Sequence, residues 1–271
     1  MTWLTTTDAG RFLAASEAFL LHDVVATHAL LTEARFWDSL SPPPSGARFG
    51  WWADSGGTQG AFVQIPDHTP ICSPLTPAAI AALPRELGDS MSVGVDTRDA
   101  SAVMHAWQKQ GRVLRPSAGL TLLRLDTLRP PAQPPGAPRV ADEADVPVLR
   151  TWFALFQERH PEDRSHLEFV VDEPLRQRAL VLWEVAGRPV AMASRTPVTA
   201  GMTRLGLAFQ PAEGTVYADA AFVSGCLEAS RTATHVLVLS ATPGSTAAYL
   251  SLGFVPVGER VVLTSQDAPP A

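Results

Sequence analysis

The sequence predicts an α+β protein built twice over, with two domains of like plan, each a mostly antiparallel sheet flanked by helices. Three observations predict it. A proline-rich seam cuts the 271-residue chain nearly in half. The two halves open alike, each with a capped amphipathic helix. They also close alike, each with a helix that stops at glycine ahead of a strand.

The seam is LRPPAQPPGAPRV, residues 128–140, in which five prolines and one glycine leave no room for a helix or a central strand. Residues 129–138 therefore read as an extended, semi-rigid linker between a domain over 1–128 and a second over 139–271. A smaller cluster, SPPPSG at 41–46, reads as a loop inside the first domain. The first half opens with TTTDAGRFLAASEAFLLHD (5–23), the second with ADEADVPVLRTWFALFQERH (141–160), and both pair a cap residue with apolar positions at helical spacing. Toward their ends, HAWQKQGRVLRP lies over AAYLSLGFVPVG without a gap, so that Ala106 meets Ala248, Trp107 meets Tyr249, Gly111 meets Gly253 and Val113 meets Val255. Glycine there supplies the left-handed conformation that ends a helix. The strands LTLLRL (120–125) and RVVLTS (260–265) follow.

In the first half, FGWWAD and AFVQIP read as strands joined by a hairpin loop, SGGTQG (55–60). The adjacent Trp51 and Trp52 should face opposite sides of their strand, one toward the core and one toward a cleft or solvent. In the second half the pattern predicts a helix over 143–159, another over 166–176, and strands at 181–187, 189–198 and 203–210. A helix at 217–231, a strand at 235–240 and a helix at 244–252 precede the last strand. Ala186, Gly187 and Arg188 suit a tight hairpin between the first two of those strands.

Composition excludes several classes of function. A net charge of −6 and a pI near 5.6 argue against a surface that tracks nucleic-acid phosphates. Lys109 is the only lysine, which argues against Schiff-base chemistry. Cys72 and Cys226 stand far apart and read as small buried apolar residues, not as a disulfide or a metal pair. The histidines are scattered without ligand spacing, and no metal site is expected. The N-terminus has no signal-peptide pattern, and no run approaches the roughly 18 apolar residues of a membrane span, so the expected location is cytoplasmic. No nucleophile elbow, zinc-protease motif, Walker loop or dinucleotide fingerprint is present.

Chemistry enters with ATPGSTAAYLSLGFVPVGE. Thr242, Pro243 and Ser245 open a helix that carries Tyr249, and Gly253 and Phe254 lead into a strand. In that order, after a strand–helix–strand run, the segment resembles the GNAT superfamily of acyl-CoA-dependent N-acyltransferases, in its tandem form with a decayed N-terminal GNAT-like domain. The resemblance implies an N-acyltransferase that moves acetyl from acetyl-CoA, or another acyl from its coenzyme A thioester, to a primary amine of a small molecule. It implies Tyr249 as general acid or thiol partner, and backbone at Leu207, Ala208 and Phe209 along the donor's pantetheine. Gly214, Thr215, Val216, Tyr217 and Ala218 then correspond to the turn that cradles the pyrophosphate, with Thr242 and Ser245 beside the donor.

That turn, EGTVYA, departs from the family pattern. Val216 stands where the first glycine is expected, and its β-branch disfavours positive φ; Glu213 stands in place of a basic or amide residue. Weakened coenzyme A binding is the expectation, and it leaves open a carrier-borne or tRNA-borne acyl donor, or a binding protein that kept the fold. For the base, Glu184 is the side-chain candidate, with His160 behind it and water as the alternative. The loop after Glu158, Arg159 and His160 would line the acceptor side by resemblance. Trp107, at the position of Tyr249, has no practical acid to offer, so the first half is expected to be inactive.

Overall fold

The computed structural model of the chain describes residues 1–40, 45–161 and 163–266. The loop reading of 41–44 lies outside the described residues. The chain forms two compact units, and they do not follow the proline seam. Residues 1–122, 240–242 and 257 onward make the first; 123–239 and 243–256 make the second.

In the first unit, β1 (Thr2–Thr6) leads into α1 (Ala9–His22), whose start is fixed by the Asp8 carboxylate accepting from Arg11 N. After α2 (His28–Ser39) come β2 (Arg48–Asp54), β3 (Gly57–Gln64), β4 (Ile71–Cys72), α3 (Pro77–Ala82), α4 (Pro84–Leu87), β5 (Ser92–Asp96) and α5 (Ala100–Gln108). Strands β1 to β4 pair antiparallel in sequence order, and β4 pairs parallel with β5. The β2–β3 turn is tighter than the sequence suggests, because residues 57–60 of SGGTQG already belong to β3.

The second unit repeats this plan. Strands β7 (Ala137–Val140), β8 (Leu180–Val185), β9 (Arg188–Arg195) and β10 (Met202–Phe209) pair antiparallel, and β10 pairs parallel with β11 (His235–Ser240). Helix α6 (Val146–Arg159) and α7 (Glu173–Arg176), the latter entered through a π-helical turn, lie between β7 and β8 in the chain; α8 (Val216–Ser230) joins β10 to β11, and α9 (Pro243–Ser251) follows. Ala186 and Gly187 both take positive φ, as the tight β8–β9 hairpin requires. The seam is not a free linker: its end is the edge strand β7, and Pro135 O accepts from the Trp183 indole at 3.1 Å.

Two long strands, β6 (Leu114–Leu125) and β12 (Phe254–Ser265), are each divided between the units, after Leu122 and after Pro256. Within the first unit β12 pairs antiparallel with β5, from Arg260↔Asp96 to Thr264↔Ser92. That pairing draws the chain's last strand away from the half that the seam assigns it to.

Each unit has an apolar core on both faces of its sheet. In the first, Trp51 packs with Phe12, Phe49 and Trp37, while Trp52 packs with Trp3, Phe62 and Trp107. The two tryptophans do face opposite ways, but both are 6% exposed and neither meets solvent or a cleft. Cys72 and Cys226 are free and buried.

Candidate active site in the second unit

Strands β10 and β11 pair only over Met202–Arg204 and His235–Leu237, then separate while β10 runs on to Phe209. On its other edge, β10 carries an irregularity against β9 between Leu205 and Ala208. The extra residue shifts the alternation, so Leu205 and Ala208 pack on the α8 side and Leu207 and Phe209 on the α6 side. Gly206 between them is exposed. The result is an open notch whose edge is β10 backbone released from its parallel partner. Leu207, Ala208 and Phe209, the expected pantetheine contacts, lie along that edge.

The chain next makes the turn into α8, and its geometry is set by Gln210, a residue that no motif in the sequence singles out. The buried Gln210 accepts from Tyr217 N at 2.9 Å and Ala218 N at 3.1 Å through Oε1, while its Nε2 donates to Glu213 O at 3.0 Å. One amide thus caps the helix and holds the turn. The sequence signal that could have found it is an amide side chain just before Pro211, ahead of a glycine-containing turn. Positive φ falls on Gly214 (+85°), so Val216 is an ordinary first helical residue and the strain expected from its β-branch does not arise. Thr215 Oγ1 donates to the Asp219 carboxylate at 2.8 Å. Arg159, from the end of α6, donates to Pro211 O at 2.6 Å and lies over the Phe209 ring at 5.4 Å. His160 packs on Phe156, which meets Phe209 edge-on. Glu158 is exposed.

Tyr249 lies on α9, half-buried between Phe222 of α8 (centroids 5.5 Å apart) and Phe254 (5.7 Å). Burial raises its hydroxyl above the usual phenol pKa, with Cys226 and Asp219 adding to the effect. Asp219 is in the first turn of α8, so Tyr249 and the capped turn share one electrostatic neighbourhood. Tyr249, Tyr217 and Ala208 also pack against one core. The helix ends at Gly253 (φ +95°), where a Cβ would lie 1.9 Å from Thr127 O. Ser245 is half-buried in the first turn of α9, whereas Thr242 belongs to the first unit.

The structure does not bring Glu184 to the notch. Its carboxylate accepts from Arg139 Nε at 2.7 Å, and Arg139 also grips both oxygens of the buried Asp145, at 2.6 and 2.7 Å. Glu184 sits on β8, separated from β10 by β9. The sequence shows a carboxylate on a strand, but not the arginine 45 residues away that binds it.

An acyl-CoA donor fits this site in part. The notch suits an extended, amide-bearing pantetheine arm. The turn does not suit a pyrophosphate as it stands, because two helix N–H groups are taken by Gln210, and Glu213 and Asp219 put negative charge around the same turn. Among the described residues, no group of three or more His, Cys, Asp or Glu is placed to hold a metal ion, and no helix is long and apolar enough to cross a membrane.

No family model matches the sequence, and no curated protein matches it. Solved structures do, over the whole chain. A GCN5-related N-acetyltransferase from Sphaerobacter thermophilus aligns over 99% of this chain and 97% of its own at 14% identity and TM-score 0.61. A GNAT-family acetyltransferase from Colwellia psychrerythraea aligns over 98% and 99% at 9% identity and TM-score 0.62. A tandem GNAT protein from the clavulanic acid biosynthesis pathway aligns over 99% of both chains at 15% identity and TM-score 0.54.

Proposed function

The fold is that of GNAT proteins in tandem form, and we propose that its second unit is an N-acyltransferase. It would move an acyl group, in the simplest case acetyl, from a pantetheine thioester to the primary amine of a small molecule. The observation that carries this reading is the notch: β10 parts from its parallel partner after Arg204 and is itself irregular against β9 between Leu205 and Ala208. Released backbone N–H and C=O groups there can bond the amides of an extended arm, as an added strand would.

The donor supplies the thioester, and the chain's part is to orient it and to deliver a proton. Tyr249 suits the second task. A phenol is protonated at neutral pH, and burial favours that form further, so the hydroxyl is available as a hydrogen-bond or proton donor to a leaving sulfur. Deprotonation of the incoming amine falls to water in this proposal, since Glu184 is held by Arg139.

Acetyl-CoA is the first donor to test. Gln210 favours a second reading, in which the pantetheine arm belongs to a carrier and brings no nucleotide diphosphate. Calorimetric titration with acetyl-CoA and with S-acetylpantetheine separates the two. Binding of both, tighter for acetyl-CoA, supports the first reading; equal binding supports the second; binding of neither removes the acyltransferase proposal. With an amine that is turned over, Tyr249→Phe should lower turnover by about 10²-fold or more while donor affinity stays within about twofold. Full turnover in that variant would remove Tyr249 from the mechanism.

A further inference from the structure

The first unit has a cleft of its own, of about 530 Å³, within the size range of small-molecule sites. Its walls include Asp23 after α1, Asp96 at the end of β5 and Arg98 just beyond it, Leu122 on β6, and Glu259 and Arg260 on β12.

Arg260 is the unusual member. Strands β4 and β5 meet at the single pair Ile71↔Gly94. Arg260 reaches over that point, its Nη2 donating to Cys72 O at 2.8 Å and to Gly94 O at 3.3 Å. Its Nε and Nη1 have no acceptor among the described residues, and no carboxylate there lies within ion-pair distance of it. Asp96, the nearest acid in the pairing register, is already held by both Arg98 Nε (2.9 Å) and Nη2 (2.8 Å). A part-buried guanidinium with two nitrogens still free to donate can hold an anion's oxygen by a single charge-assisted bond. Burial disfavours its charge, with Asp96 and Asp99 opposing that shift, so an anion within the cleft would offset a standing desolvation penalty.

The remaining charges define what the anion must be attached to. Asp23 and Glu259 line the cleft without an ion-pair partner among the described residues. The lining as a whole sets three carboxylates against two guanidiniums, a balance that repels a nucleotide or any polyphosphate. Val25, Leu122 and Val257 add apolar lining. We infer that the first unit binds a small amino-carboxylate compound in this cleft, its carboxylate on Arg260 and its ammonium toward Asp23 and Glu259. The site is built from the first unit alone and stands independently of acyl transfer in the second.

Three probes test it by calorimetry on the whole chain: 5-aminopentanoate, pentanoate and pentylamine. The expected order is 5-aminopentanoate tightest, pentanoate weaker and pentylamine undetectable. Arg260→Gln should weaken 5-aminopentanoate about tenfold or more. Because Arg260 also ties β4 to β5, that variant can fail to fold. Gly258→Leu is the second variant: a Cβ at 258 would lie 4.0 Å from Leu122 atoms, without a clash, and the longer side chain fills the cleft and leaves Arg260 in place. Loss of binding in a Gly258→Leu protein that melts like the parent supports the site. Unchanged affinity in either folded variant, pentylamine binding as tightly as 5-aminopentanoate, or no binding of any probe at millimolar concentration overturns it.

Discussion

Replacing Gln210 with alanine should make the protein less stable and, at the same time, better at binding coenzyme A. The side chain makes two accepted bonds, at 2.9 and 3.1 Å, and one good donated bond, at 3.0 Å, all to backbone of the α8 turn. Loss of a helix cap costs about 0.5–2 kcal/mol, and each internal hydrogen bond contributes a net ~0.5–1.5 kcal/mol. Freed N–H groups at the helix start regain water, which returns part of that sum, so about 2 kcal/mol is a fair expectation. For a protein of this size it corresponds to a fall of about 4–8 °C in melting temperature. The Tyr217 and Ala218 amides, released from Gln210, then become receptors for a phosphate oxygen. A charge-assisted bond of ~1.5 kcal/mol or more translates into about a tenfold gain in coenzyme A affinity. Thermal melts with and without coenzyme A, followed by calorimetry at a temperature where both proteins are folded, read both effects. A variant that loses stability and affinity together, or that melts with the parent, would refute the view that Gln210 occupies a phosphate-binding turn.

Gly253→Ala places a methyl 1.9 Å from Thr127 O at φ +95° and should destabilise the second unit by more than about 3 kcal/mol, seen as a shifted urea midpoint. The Arg139 pair gives a pH signature. Asp145 is held below its ordinary pKa, chiefly by hydrogen bonds from Arg139, so its contribution is present above the unfolded carboxylate value near 3.9 and is lost as pH falls through the folded one. Stability measured from about pH 6 down to about pH 3 should drop in the parent and drop less steeply in Arg139→Met. Burial pushes both thiols up to about 12, so Cys72 and Cys226 should resist a maleimide near pH 8 in the native protein and react promptly in guanidinium. Rapid native labelling of either would contradict its burial.

Much of the fold can be read from the sequence because it rests on local chemistry. The stripe on α6, the Ala186–Gly187 hairpin and the left-handed glycine after α9 each declare themselves within a few residues. The duplicated plan is legible for the same reason, since Gly111 and Gly253 both take positive φ. What escapes depends on partners distant in the chain. Nothing near RVVLTS announces that it will pair with β5. Nothing near Glu184 announces Arg139. The α8 turn departs from expectation for a third reason: a motif makes Val216 the critical position, whereas the geometry assigns positive φ to Gly214 and the hydrogen bonds to Gln210. Side-chain types at a turn say which conformations are costly, but not which neighbour has already used its N–H groups.

The division of β12 governs when the first unit can fold during synthesis. Its sheet is missing a strand, and Leu263 is missing from its core, until residues 257–265 have left the ribosome. Every residue of the second unit is made before then, so the part translated first is the part completed last. During that interval β5 presents an unpaired edge, a surface that invites the wrong strand. Cutting the chain at the seam would make that interval permanent: a fragment of residues 1–128 keeps the first unit's sheet without its closing strand.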